Sequence, residues 1–244
     1  MTAQIGDIYK YKRKEFSIVA LSAPIQFEPK DYGLEPHASS TACWRGYWCE
    51  YNITDKKLFL QNLYLFNADG KYPPLNGIEV SPQEYQECIC YSIKSEKGEK
   101  VKRPKHMGHR VYENINMPIS YTGKILLGDG FMREYYIHMG FQRGWAYRKL
   151  VELIFENGVL LECNDLSHLA KEQREAIKKQ GKDPRYSDDG NIPKFVTNSF
   201  SLDYAENLYV ARVTCCTNPL RISAFSGYTR LYVEIFLNSL RVDY

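Results

Sequence analysis

The chain has 244 residues, 44% hydrophobic and 25% charged, with a formal net charge of +3. That length is enough for one compact domain over 1–244 with a sizeable core. The small charge surplus excludes a nucleic-acid binder that works by net charge alone, so electrostatic arguments rest on local clustering.

No run approaches the roughly eighteen apolar residues of a spanning helix, and no membrane partner is expected. The N-terminal "MTAQIGDIYKYKRKEF" lacks the apolar stretch of a secretory leader. The seven Cys are then expected to be reduced thiols in a cytoplasmic protein. Twenty Tyr and eleven Phe suit pleated, half-buried surfaces and predict a sheet-rich fold. The alternative is that some of these rings line a ligand groove.

In chain order, "FSIVAL" (16–21), "CWRGYWCEYNI" (43–53) and "KLFLQNLYLF" (57–66) read as strands, the last two joined by a turn in "TDKK". "NADGKYPPLNG" (67–77) reads as a loop. "NINMPISYTGKILLG" (114–128) is strand-like with an internal Gly, and "YRKLVELIFENGVLLE" (147–162) places an Asn-Gly turn between two apolar runs. A helix is predicted over about 164–181, opened by Asn164, Asp165 and Ser167 and closed by Gly181. Leu166, Leu169, Ala170, Ala176 and Ile177 form its docking face. Strands are also expected in "NLYVARVTCC" (207–216) and "TRLYVEIFLNSL" (229–240), after a polar loop over 181–193. The expected fold is α+β and β-rich, an antiparallel sandwich or two packed sheets with one covering helix.

Two blocks resemble each other. "APIQF" (23–27) matches "MPISY" (117–121), and "RGYW" (45–48) matches "RGWAY" (143–147), with Pro-to-Arg spacings of 21 and 25 residues. Glu50 and Glu152 then each open a strand–turn–strand stretch. The order suggests an internal β duplication over 16–80 and 110–163; chance likeness between β-hairpins is the alternative.

Three constellations could carry chemistry. Cys88, Cys90, His106 and His109 supply a zinc-type ligand set, two thiols on one strand face and two imidazoles. Against this, Cys-x-Cys is not the usual knuckle spacing, and two core thiols with two surface His explain the same residues. No other cofactor is expected. Lys100, Lys102, Arg103 and Lys105 belong to a basic loop over 94–110 that suits an acidic protein surface or nucleic-acid phosphates, although such a loop is often merely solvated. With Gly98 at its centre it reads as the tip of a long hairpin.

The Arg-Gly-aromatic words contribute Arg45, Trp48, Arg143, Trp145 and Tyr147. An Arg beside aromatic rings can hold a nucleotide's phosphate and base, or simply stack at a strand end. No Gly-x-Ser-x-Gly elbow, phosphate-binding Gly loop or His-Glu-x-x-His is present. The expected function is therefore a non-catalytic cytoplasmic binding or interaction protein, of immunity or inhibitor type, using an aromatic and basic surface. A nucleotide- or nucleic-acid-processing enzyme with Arg45 and Arg143 on phosphates is the alternative, and a homodimer through an exposed strand edge is a further candidate assembly.

Overall fold

The computed structural model describes residues 2–92, 95–179 and 200–204, with backbone alone for 90–92 and 95–99. The strands expected over 207–216 and 229–240, the loop over 181–193 and the last two residues of the expected helix, 180–181, lie outside the described residues. The class is as expected: β-rich α+β, with one helix packed on sheet.

Tight turns set the register of three hairpins. β1 (Ile8–Tyr11) turns into β2 (Lys14–Leu21) through Lys12 and Arg13, both at positive φ. β3 (Tyr47–Thr54) turns into β4 (Lys57–Leu65) through Asp55 and Lys56, again both positive. β10 (Tyr147–Glu156) turns into β11 (Val159–Asp165) through Asn157 and Gly158. Two consecutive positive-φ residues match the right-handed twist of the flanking strands, which is why this turn dominates two-residue hairpins. The stretch from 114 to 128 divides into a short β8 (Met117–Pro118) and β9 (Gly123–Phe131).

These strands, with β7 (Arg110–Tyr112), form one large sheet in the order β11-β10-β9-β2-β1-β3-β4-β7, and β8 also pairs with β4. Pairing is antiparallel except between β1 and β3, which run parallel. The sheet also closes on itself. Val159 of β11 pairs with Lys57 of β4, and the Leu58 and Leu160 amides donate across the junction to Gly158 (2.8 Å) and Lys56 (2.7 Å). The tips of two hairpins are thus hydrogen-bonded to each other, completing a circuit from β11 through β10, β9, β2, β1, β3 and β4 back to β11.

Alternation along the strands divides the side chains between two sides of this circuit. Tyr9, Phe16, Ile18, Cys49, Tyr51, Leu60, Leu63, Ile125, Leu127, Val151 and Leu153 share the main core. On the other face of β2, β9 and β10, Val19, Ala20, Leu126 and Leu150 are covered by Ala170 and Ile177 of α1 (Ser167–Lys179) and by Leu166 just before it. Asp165 caps the helix start by accepting the Ser167 amide at 2.9 Å. No helix among the described residues is long and apolar enough to cross a membrane.

Among the described residues, a second, two-stranded sheet consists of β5 (Tyr85–Ser92) and β6 (Ser95–Pro104) alone. Its last register pair is Ser92 with Ser95, so Gly98 lies within β6 rather than at the tip. The base is tied to the body by the Ser81 amide on Val111 O and by Arg110 on Ser81 O.

Candidate functional site

The first Arg-Gly word leads into β3. Arg45 donates Nε–H to Tyr47 O at 2.6 Å, Nη1–H to Asp7 Oδ2 at 3.1 Å and Nη2–H to Asp7 Oδ1, with its guanidinium 4.8 Å from the Tyr47 ring centre. Asp7 is buried and also accepts the Cys49 amide at 2.7 Å. The planar fork of an arginine matches a carboxylate in this bidentate way. Arg45 therefore ties the N-terminal segment to the start of β3.

Past Arg45, alternation turns Trp48, Glu50, Asn62 and Tyr64 away from the main core. Trp48 and Tyr64 are cross-strand partners whose rings stack at 4.8 Å and 6°. His109 meets the Trp48 ring edge-on at 4.6 Å, and His106 lies 4.9 Å from Tyr64. The His109 Nδ1 lies 2.9 Å from His106 O, and a carbonyl only accepts, so this nitrogen carries the proton. Nε2 then accepts from the Ser39 hydroxyl at 3.1 Å. Burial holds His109 below the ordinary histidine pKa against the opposing hydrogen bond to His106 O, which keeps the ring neutral at pH 7.

The second Arg-Gly word is also packed away. Trp145 and Tyr147 are buried in the cluster beneath α1, and Arg174 of the helix donates to the carbonyls of both at 2.8 Å. Arg143 is buried as well. The segments leading into β3 and β10 do converge on the N-terminal residues. The Gln4 amide donates to Gly140 O, the Ile5 amide to Ala42 O, and Phe200 packs against Trp44 and Met139.

Two buried carboxylates have closely similar surroundings. Glu50 accepts from Lys10 Nζ (2.9 Å), Asn62 Nδ2 (2.6 Å) and Tyr64 Oη (3.0 Å). Glu152 accepts from Lys124 Nζ (3.2 Å), Asn164 Nδ2 (3.1 Å) and Tyr204 Oη. Each glutamate pairs across its hairpin with the asparagine twelve residues later. Beyond the hairpins the two surroundings differ. The Lys10 strand runs parallel to β3 whereas the Lys124 strand runs antiparallel to β10. Strand β9 lies between Pro118 and Arg143, while only a 3-10 turn over Pro29–Tyr32 lies between Pro24 and Arg45.

Burial alone would raise the Glu152 pKa, but the bonds from Tyr204, Asn164 and Lys124 outweigh it and hold the carboxyl below the ordinary value of 4.5. A depressed folded pKa stabilises the native state fully above the unfolded value, and that share is lost as pH falls through the folded value. Replacing Glu152 by Gln should therefore cost about 1–2 kcal/mol at pH 7. The gap between wild type and variant should narrow below pH 4.5 in denaturant titrations; a gap independent of pH would refute this assignment.

Of the zinc-type set, Cys88 directs its thiol to Val101 O (3.6 Å), while His106 and His109 both reach the Trp48–Tyr64 stack. The Cys90 side chain lies outside the described residues. Among the described residues no group of three or more His, Cys, Asp or Glu is placed to hold a metal. Burial pushes the Cys43 thiol up to about 11 and raises Cys49 well above its ordinary value, so neither is a thiolate nucleophile at pH 7.

The basic residues fall on the separate hairpin and its base. Lys100, Lys102 and Arg103 are exposed, and Lys105 pairs with Glu84. Sequence reasoning missed Asp7, Ser39 and Tyr64. It noted Glu50 and Glu152 without a role, although Glu-to-Asn spacing of twelve recurs in both predicted hairpins and was a readable signal.

No family model, curated protein or solved structure matches the chain.

Proposed function

We propose that the chain is a non-catalytic interaction protein whose contact element is the β5–β6 hairpin. The observation that carries this reading is that, among the described residues, the hairpin pairs with no strand of the large sheet, yet exposes Tyr85 (61%) and Ile89 (57%) beside Lys100 and Lys102. An isolated two-stranded sheet is marginal in water and gains stability by packing on something else. The nucleotide-processing alternative is weakened because Arg45 is engaged by Asp7 and the Trp48 and Trp145 rings are buried. The free thiols of Cys43, Cys49, Cys88 and Cys163 support a reducing, cytoplasmic setting. The paired surroundings of Glu50 and Glu152 support reading β3–β4 and β10–β11 as copies of one unit.

A variant with residues 86–103 replaced by Gly-Gly tests the contact role without knowledge of the partner. Its Tm should stay within about 2 °C of wild type, because an element off the core contributes little to the fold. A fall of about 10 °C, or loss of cooperative unfolding, would make the hairpin part of the folding unit and sink the reading.

A further inference from the structure

The partner's chemistry can be read from the hairpin face that carries both exposed apolar side chains. In β5, Tyr85, Glu87 and Ile89 point to one side; their register partners in β6 are Pro104, Lys102 and Lys100. This face carries the apolar Tyr85 and Ile89, Lys100 opposite Ile89, and Lys102 opposite Glu87, with Tyr85, Glu87, Ile89, Lys100 and Lys102 all exposed. Over the hairpin's residues 85–104 the sequence holds five basic and three acidic side chains, a surplus of two out of the +3 of the whole chain. Most of the formal net charge of the protein is thus carried by this hairpin.

Resting on the interaction reading above, we propose that this face binds an acidic, extended segment of a protein partner, whose apolar side chains cover Tyr85 and Ile89 while its carboxylates meet Lys100 and Lys102. A second copy of this chain is disfavoured as the occupant, because two such hairpins would bring like charges together. Nucleic acid is disfavoured because Ile89, one of the two exposed apolar groups of the face, offers no ring for base stacking. A protein segment uses it, since an aliphatic side chain buries well, and the Glu87 carboxylate can accept a backbone amide of an extended segment.

The test uses the full chain and three fluorescent probes: a twelve-residue peptide alternating Glu with Val and Phe, the same peptide with Lys for Glu, and a dT oligonucleotide. Anisotropy should show saturable, salt-sensitive binding of the acidic peptide alone. Lys100→Glu/Lys102→Glu should weaken it about tenfold or more, and Tyr85→Ser/Ile89→Ser should weaken it with little change in salt dependence. No saturation by the acidic peptide, or equal binding by the charge-reversed variant, overturns the proposal. If the oligonucleotide binds in its place, the acidic-protein assignment fails while the hairpin remains a contact element. Failure of the hairpin-excision test above removes the underlying reading instead.

Discussion

Replacing Asp7 by Ala is expected to lower the unfolding free energy by about 3–5 kcal/mol, the range for removing one partner of a buried ion pair. The Asp7 carboxylate accepts from both terminal nitrogens of Arg45 and from the Cys49 amide, at side-chain exposures of 8% for Asp7 and 14% for Arg45. Its loss leaves the guanidinium charge without that carboxylate and one backbone amide without its acceptor. Chemical denaturation measures the loss directly. The double variant Asp7→Ala/Arg45→Met should be more stable than the sum of the two single losses predicts, because it removes the guanidinium together with its carboxylate. A single-variant loss below about 1 kcal/mol would show that Asp7 does not anchor the start of β3.

Gly46→Ala is the second large expected effect, roughly 3 kcal/mol or more. Gly46 sits at φ 77°, and a Cβ there would fall 2.4 Å from His37 O and 2.5 Å from His37 N. Backbone cannot swing aside as a flexible side chain can. The segment also carries hydrogen bonds on both sides: the Phe66 amide donates to Gly46 O, and the His37 amide to Phe66 O. Gly70 is the control, with φ 68° but nothing within 4 Å of an added Cβ. Gly70→Ala should cost only about 1 kcal/mol, the conformational part alone. Equal losses at the two positions would mean that the His37 contact contributes nothing.

The strands and the helix were readable wherever a local signal was strong. Asn157-Gly158 announces its turn because both residue types tolerate positive φ, and the helix announces itself by the spacing of Leu166, Ala170 and Ile177. β1 escaped notice because its turn is made by Lys12 and Arg13, residues that seldom adopt that conformation and carry no turn signature. The parallel pairing of β1 with β3 and the closure of β11 on β4 are long-range facts with no local trace. The site shows the same division. The sequence marks Arg45 as unusual, but its partner Asp7 lies 38 residues away, and nothing local joins them. Trp48 and Tyr64 could be paired once the β3–β4 register was drawn; the approach of Ser39, His106 and His109 to them could not.

The closure between hairpin tips also bears on how the chain reaches its fold. Each of the hairpins β3–β4 and β10–β11 joins neighbours a few residues apart and can form within microseconds. The Lys57–Val159 junction must instead wait until the whole intervening chain has been ordered, and β1 must find β3 across a long loop. Contacts of such sequence separation slow folding, because loop entropy is lost before they form. The ring should therefore close late, with the tips of the two hairpins unpaired in the partly folded chain. The protein is most open to strand-mediated aggregation in that interval, and least so once the two turns have met.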